Sequence, residues 1–164
     1  MQSINNFLFS NPKLSWFWLI VRVYVGYEWI MAGYEKIINP AWVGSSAGGA
    51  ITGFVNGALA KTAGAHPDVS EWYAWFLTHA VLPNANLWSH AVAYGELAVG
   101  LGLIFGVLTF WAAFFGFFMN LNYLLAGTVS TNPVLLVLAL LIMLAHRVAG
   151  RIGFDYYIFK NRFS

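Results

Sequence analysis

Hydrophobic positions gather into four long runs, over residues 14–38, 87–108, 110–127 and 134–149, with polar stretches between them. Crossing a hydrocarbon core of ~30 Å takes a helix of roughly 20 mostly apolar residues, so each run is a candidate span, the fourth being the shortest. The second run holds Glu96 as its only charge, whereas the first carries both Arg22 and Glu28 inside its apolar stretch. An ionisable side chain at mid-bilayer costs at least ~2.5 kcal/mol unless it pairs or meets water. The first helix is therefore expected to have neighbours that supply partners.

Residues 39–86 follow a different pattern. Asn39 and Pro40 stop the first helix, and the small residues over 44–49 fit no helical period. Ile51, Phe54, Val55, Ala58 and Leu59 then recur at i, i+3, i+4, i+7 and i+8, which predicts a short helix with one apolar face. Past His66 and Pro67, Asp68 with Glu71 matches a capping box that opens a second short helix, ended by Pro83. Its Trp72, Tyr73, Trp75 and Phe76 suit the headgroup level. The pattern as a whole predicts an all-α integral membrane protein. It is a single membrane domain over 1–164, a four-helix transmembrane bundle with interfacial helices in the outer loop 39–86.

Helical spacing sorts the faces. Arg22, Gly26, Trp29, Gly33 and Lys36 fall along one side of the first span, with Glu28 about 240° round from Arg22. Gly95, Gly100, Gly102 and Gly106 suit close helix contact in the second span, Gly102 and Gly106 forming a small-xxx-small pair. In the third, Gly116, Asn120, Tyr123 and Gly127 share a face that Asn122 does not, which points Asn120 inward. A tight turn over 107–109 joins the second and third spans, and Pro133 stands at the first helical position of the fourth.

Composition strengthens the membrane reading: of 164 residues 60% are hydrophobic and only 9% charged, against roughly 25% charged in a soluble domain. The first run is longer than a signal-peptide core and internally charged, so it is expected to persist as a span. Both termini are expected in the cytoplasm of a prokaryote, on the basis of Lys13, Arg147, Arg151, Lys160 and Arg162. The protein then sits in the inner, or plasma, membrane. The net charge of +2 comes from scattered residues and excludes nucleic acid as a partner class. With no cysteine in the chain, disulfides and cysteine-ligated iron–sulfur clusters are excluded.

Counted from the ends of their own spans at ~1.5 Å per residue, Arg22 and Glu96 come out at nearly one depth, with Asn120 close by and His146 nearer the cytoplasm. Two readings follow. Arg22, Glu96, Asn120 and His146 line a polar pocket between helices, or Arg22 and Glu96 form a buried ion pair that fixes helix register. Glu28 is protonated, wet or bonded to a tyrosine at its level. His79 and His90 read as interfacial residues. His90 and His146 lie near opposite faces, which argues against an intrachain bis-His haem, and no metal-ligand spacing is present, so no haem, metal or iron–sulfur cluster is expected.

The segments RVYVGYEWIMAGYEKI, GELAVGLGLIFGVLT, MNLNYLLAG and STNP resemble the DoxX family of four-helix membrane proteins, related to the DoxD subunit of thiosulfate:quinone oxidoreductase. The resemblance runs from about Leu14 to Arg147. It places Arg22, Gly26, Trp29, Gly33 and Lys36 on the first-helix pattern, Gly95 and Glu96 on the second, and residues 120–123 on the polar segment of the third. Phe110 and Trp111 stand where related chains often carry a basic residue.

Two functions are carried forward. In the first, the chain is a subunit of a quinone-linked oxidoreductase. Arg22, Trp29, Asn120 and Tyr123 hold the quinone, and Glu96 and His146 serve as catalytic proton carriers. The resemblance implies an oxyanion donor such as thiosulfate, approaching from the outer loop near the substrate-binding candidates Lys36 and Lys61. In the second, the chain is a non-enzymatic scaffold or small-molecule carrier. Membrane lipids, a partner subunit and a second copy of the chain are the expected partners.

Overall fold

The computed structural model describes residues 7–159 and is all-α, with five main helices. These are α1 (Ser15–Ile37), α2 (Gly49–Leu59), α4 (Ala85–Phe105), α5 (Thr109–Leu125) and α6 (Asn132–Leu144); α3 (Glu71–Phe76), α7 (His146–Ala149) and α8 (Phe154–Ile158) are among the shorter helices. The expected leader residues Asn5 and Asn6 and the tail residues Lys160 and Arg162 lie outside the described residues. One continuous helical stretch, Glu71–Phe105, is long and apolar enough to cross a membrane, and Thr109–Leu125 and Asn132–Leu144 are shorter apolar helices. Large apolar side chains cover the outward faces, among them Ile20, Trp111, Phe115, Val137 and Leu144.

Pro83 does not end a helix, as its missing N–H predicts. The chain passes instead through a π turn at Leu77–Val81 and a 3₁₀ turn at Leu82–Asn84 before α4 begins. Pro83 sits in the first turn of that 3₁₀ segment, where no intrahelical N–H bond is required. The Ala80 carbonyl is served by side chains, accepting from Trp88 Nε1 and Asn84 Nδ2, each at 3.2 Å. The capping box also fails to form. Helix α3 starts after Ser70 with no side-chain cap, while the backbone N–H of Asp68 donates to Lys61 O at 3.1 Å.

The most extensive packing is between α1 and α4, followed by α5 against α6. Backbones approach where glycines face each other. A Cβ on Gly33 would stand 2.6 Å from Leu97 N, and one on Gly100 would stand 2.7 Å from Ile30 N. The small residues that set this crossing are thus Gly26, Gly33 and Gly100. Gly106, of the expected Gly102 and Gly106 pair, instead ends α4 in the left-handed conformation and lies against the Arg22 guanidinium.

Two cores result. One lies among α1, α4, α5 and α6 around Trp18, Val25, Trp29, Leu103 and Ile142. The other fills the space beneath α2 and α3, with Ile51, Val55, Tyr73, Leu77 and Ala126. The amphipathic face foreseen for 51–59 is the one buried, because a single apolar stripe suffices to seat an 11-residue helix on its neighbours.

At the opposite end, the segment after α6 folds back over the α4–α5 turn. Asp155 accepts from Leu108 N at 2.6 Å and Thr109 N at 2.8 Å, and so caps the start of α5. Asp155→Ala is expected to cost about 1–2 kcal/mol, the upper range for loss of a helix cap, read as a lower unfolding midpoint in detergent.

Candidate functional site

The glycine-lined crossing sets the register of α1 against α4: Gly26 faces the segment from Gly100 to Ile104, and Gly33 faces Ala93 and Leu97. Glu96 therefore stands level with the last turns of α1. Lys36 reaches it, with Nζ 2.7 Å from Glu96 Oε2. From α5, the Tyr123 hydroxyl donates to Glu96 Oε1 at 2.5 Å. Glu96 is only 1% exposed, and each carboxylate oxygen has its own partner. A charge removed from water is tolerated on those terms. The Lys36 ammonium also lies 5.2 Å from the centroid of the Trp42 ring.

These three side chains form one wall of a cavity of about 340 Å³. Glu28, Trp29 and Asn120 continue the lining, and the turn between α5 and α6 contributes Thr128, Ser130 and Thr131 at its rim, followed by Asn132 at the start of α6. The cavity lies at the end of the bundle where the segment 39–86 begins. Glu28, which had no partner in view along its own helix, belongs to this lining.

Asn120 is completely buried, yet neither its Oδ1 nor its Nδ2 has a hydrogen-bond partner; the Trp29 indole N–H is likewise buried and unpaired. Buried polar groups are nearly always bonded, so these two residues along one cavity keep hydrogen-bonding capacity that the protein itself does not use. Asn122, by contrast, is occupied: its Oδ1 accepts from Tyr73 Oη at 3.1 Å and its Nδ2 donates to Phe118 O at 2.8 Å. The inward direction foreseen for Asn120 from helical spacing holds.

Arg22 does not meet Glu96. Its Nη1 donates to Ala149 O at 2.8 Å and its Nη2 to Ile152 O at 2.6 Å, which ties α1 to the segment following α6. Equal depths for the two charges require spans that end flush. In the fold α4 stops opposite Arg22, and Glu96 lies roughly 15 Å farther along α1 at ~1.5 Å per residue. His146 is separated from the cavity too. Its Nδ1 donates to Met143 O at 2.9 Å, and its ring packs edge-on to Phe110 in a groove shared with Thr109, Arg147 and Asp155.

Of the remaining candidates, Trp29, Tyr123 and Lys36 line the cavity. Lys61 is engaged elsewhere, donating to Gly127 O at 2.6 Å at the C-terminal end of α5, where orphan carbonyls favour a cation. The Lys36–Glu96 pair and the hydroxyl rim were not foreseen. Lys36 shares the Gly33 face of α1, and that face is the available signal that it turns toward α4.

A family model described as DoxX matches residues 17–149. The match takes in every wall residue of the cavity. No curated protein and no solved structure matches the chain.

Proposed function

This chain belongs to the DoxX family, whose members are membrane proteins, and we propose that it is an integral membrane subunit of a quinone-linked oxidoreductase, binding a quinone ring in the Asn120 cavity. Its apolar runs cross the membrane four times, with both termini cytoplasmic and the cavity in the outer half. The observation that carries the reading is the buried Asn120 amide, unpaired at both atoms beside a carboxylate, an ammonium and a phenol.

The residues fit such a ring. Asn120 Nδ2 and Trp29 Nε1 are placed to donate to a ring carbonyl, and Asn120 Oδ1 to accept from a ring hydroxyl, so one amide serves both oxidation states. When bound, a quinone supplies an acceptor for two electrons and two protons. Lys36 Nζ and the Tyr123 hydroxyl hold exchangeable protons on either side of Glu96, and the hydroxyls of Thr128, Ser130 and Thr131 offer water a polar approach. Electrons come from a partner subunit or from an oxyanion of the thiosulfate class at the outer face. Arg22 and His146 take no part, because both are committed at the far end of the bundle.

Asn120→Leu is the test. Removing a buried amide that has no partner is expected to leave thermal stability unchanged or raise it, whereas affinity for a quinone analogue falls about tenfold or more, the worth of one to two hydrogen bonds. Spectroscopic titration and a melting curve on the same preparation read both. Failure of the folded wild type to bind a quinone analogue, alone or with its native partner, would remove the reading. Binding without reduction, whatever donor is supplied, would leave the carrier function in its place.

A further inference from the structure

A second cavity, of about 130 Å³ and almost wholly apolar, adjoins the first. Ile51, Val55, Leu77, Val81 and Val92 line it, and Trp42, Phe54 and Tyr123 are walls common to both cavities. The Phe54 and Tyr123 rings meet edge-to-face at 6.0 Å between centroids. Tyr123 is thus two-sided: its hydroxyl is bonded to Glu96 in the polar cavity, and its ring faces hydrocarbon in the apolar one. Phe118, 52% exposed on the outer side of α5, stands at the mouth of the apolar cavity.

We infer that the two cavities form one amphipathic site, whose occupant is a ring carrying an isoprenoid chain. The ring lies against Asn120, and the chain runs past Phe54 into the apolar cavity and out beside Phe118. The inference rests on the quinone reading above and names the substrate class within it. At ~30 Å³ for each water-sized group, the apolar cavity holds roughly four to five carbons, the size of one isoprene unit. Longer chains must continue outward past Phe118, on a face that already presents apolar side chains. A small polar quinone would leave this cavity empty. Phe54 is half-buried on α2, at the boundary between the two cavities.

The test compares three forms of the full chain in one mild detergent: wild type, Val92→Phe and Ile51→Phe. Each variant fills the apolar cavity from a residue that does not line the polar one. Two probes are titrated by quenching of tryptophan fluorescence, a tail-less benzoquinone and the same ring bearing one isoprenyl group. Wild type is expected to bind the prenylated ring at least tenfold more tightly, in line with burial of several methylene-sized groups. In either folded variant that advantage should drop to about twofold or less, while affinity for the tail-less ring stays within about twofold. Equal affinity of wild type for both probes would overturn the inference and leave the quinone reading intact, as would an undiminished advantage in a variant that melts like wild type. Binding of neither probe would overturn both. The wild-type comparison needs no variant, so a misfolded substitution does not remove the test.

Discussion

Lys36→Met is expected to lower stability by about 3–5 kcal/mol, because it strips the Glu96 carboxylate of its paired cation while leaving the carboxylate buried. Glu96→Leu should cost less, since Lys36 keeps about a fifth of its side chain exposed and can turn toward water. The double variant Lys36→Met with Glu96→Leu is expected to lose less than the sum of the single losses, the signature of a direct pair. Arg22→Met combined with Glu96→Leu should instead be additive, because Arg22 is bonded to the carbonyls of Ala149 and Ile152 and shares no partner with Glu96. Denaturation midpoints in one detergent, measured for the three single and two double variants, separate these outcomes. Additivity at Lys36 with coupling at Arg22 would reverse the assignment of the pair.

Gly100→Val should prevent α1 and α4 from seating. The first side-chain atom would lie 2.7 Å from Ile30 N and 2.8 Å from Gly26 O. Those neighbours are backbone of a rigid helix and have no rotamer with which to withdraw. Overpacking of an ordinary core costs about 1–3 kcal/mol, and a clash between two helix backbones belongs at or above the top of that range. Gly53→Ala on α2 is the matched control, since a Cβ there meets nothing within 4 Å. In that open position the lower backbone entropy of alanine should add about 0.5–1 kcal/mol to stability. Folded yield and melting temperature should therefore move in opposite directions for the two glycine substitutions. A well-folded Gly100→Val protein with a wild-type melting temperature would show that the crossing is looser than its geometry.

The sequence by itself determined the helical class, the boundaries of α1, α4 and α5 to within a few residues, the buried stripe of α2 and the inward direction of Asn120. Each of these follows from periodicity along one helix, and periodicity is local. The family was legible as well, through segments on the first three runs. Partnership was not. Which charge meets Glu96 depends on where α4 stops relative to α1, and that offset is fixed by three glycines packing across the interface, a relation between helices that no single-helix count contains. The same offset separated Arg22 and His146 from the cavity and brought Lys36 into it. Pro83 kept its helix going because side chains a turn away satisfy the Ala80 carbonyl, which local propensity does not register. The cavity and its unpaired Asn120 are likewise products of tertiary structure, since a side chain lacks a hydrogen-bond partner only with respect to everything packed around it.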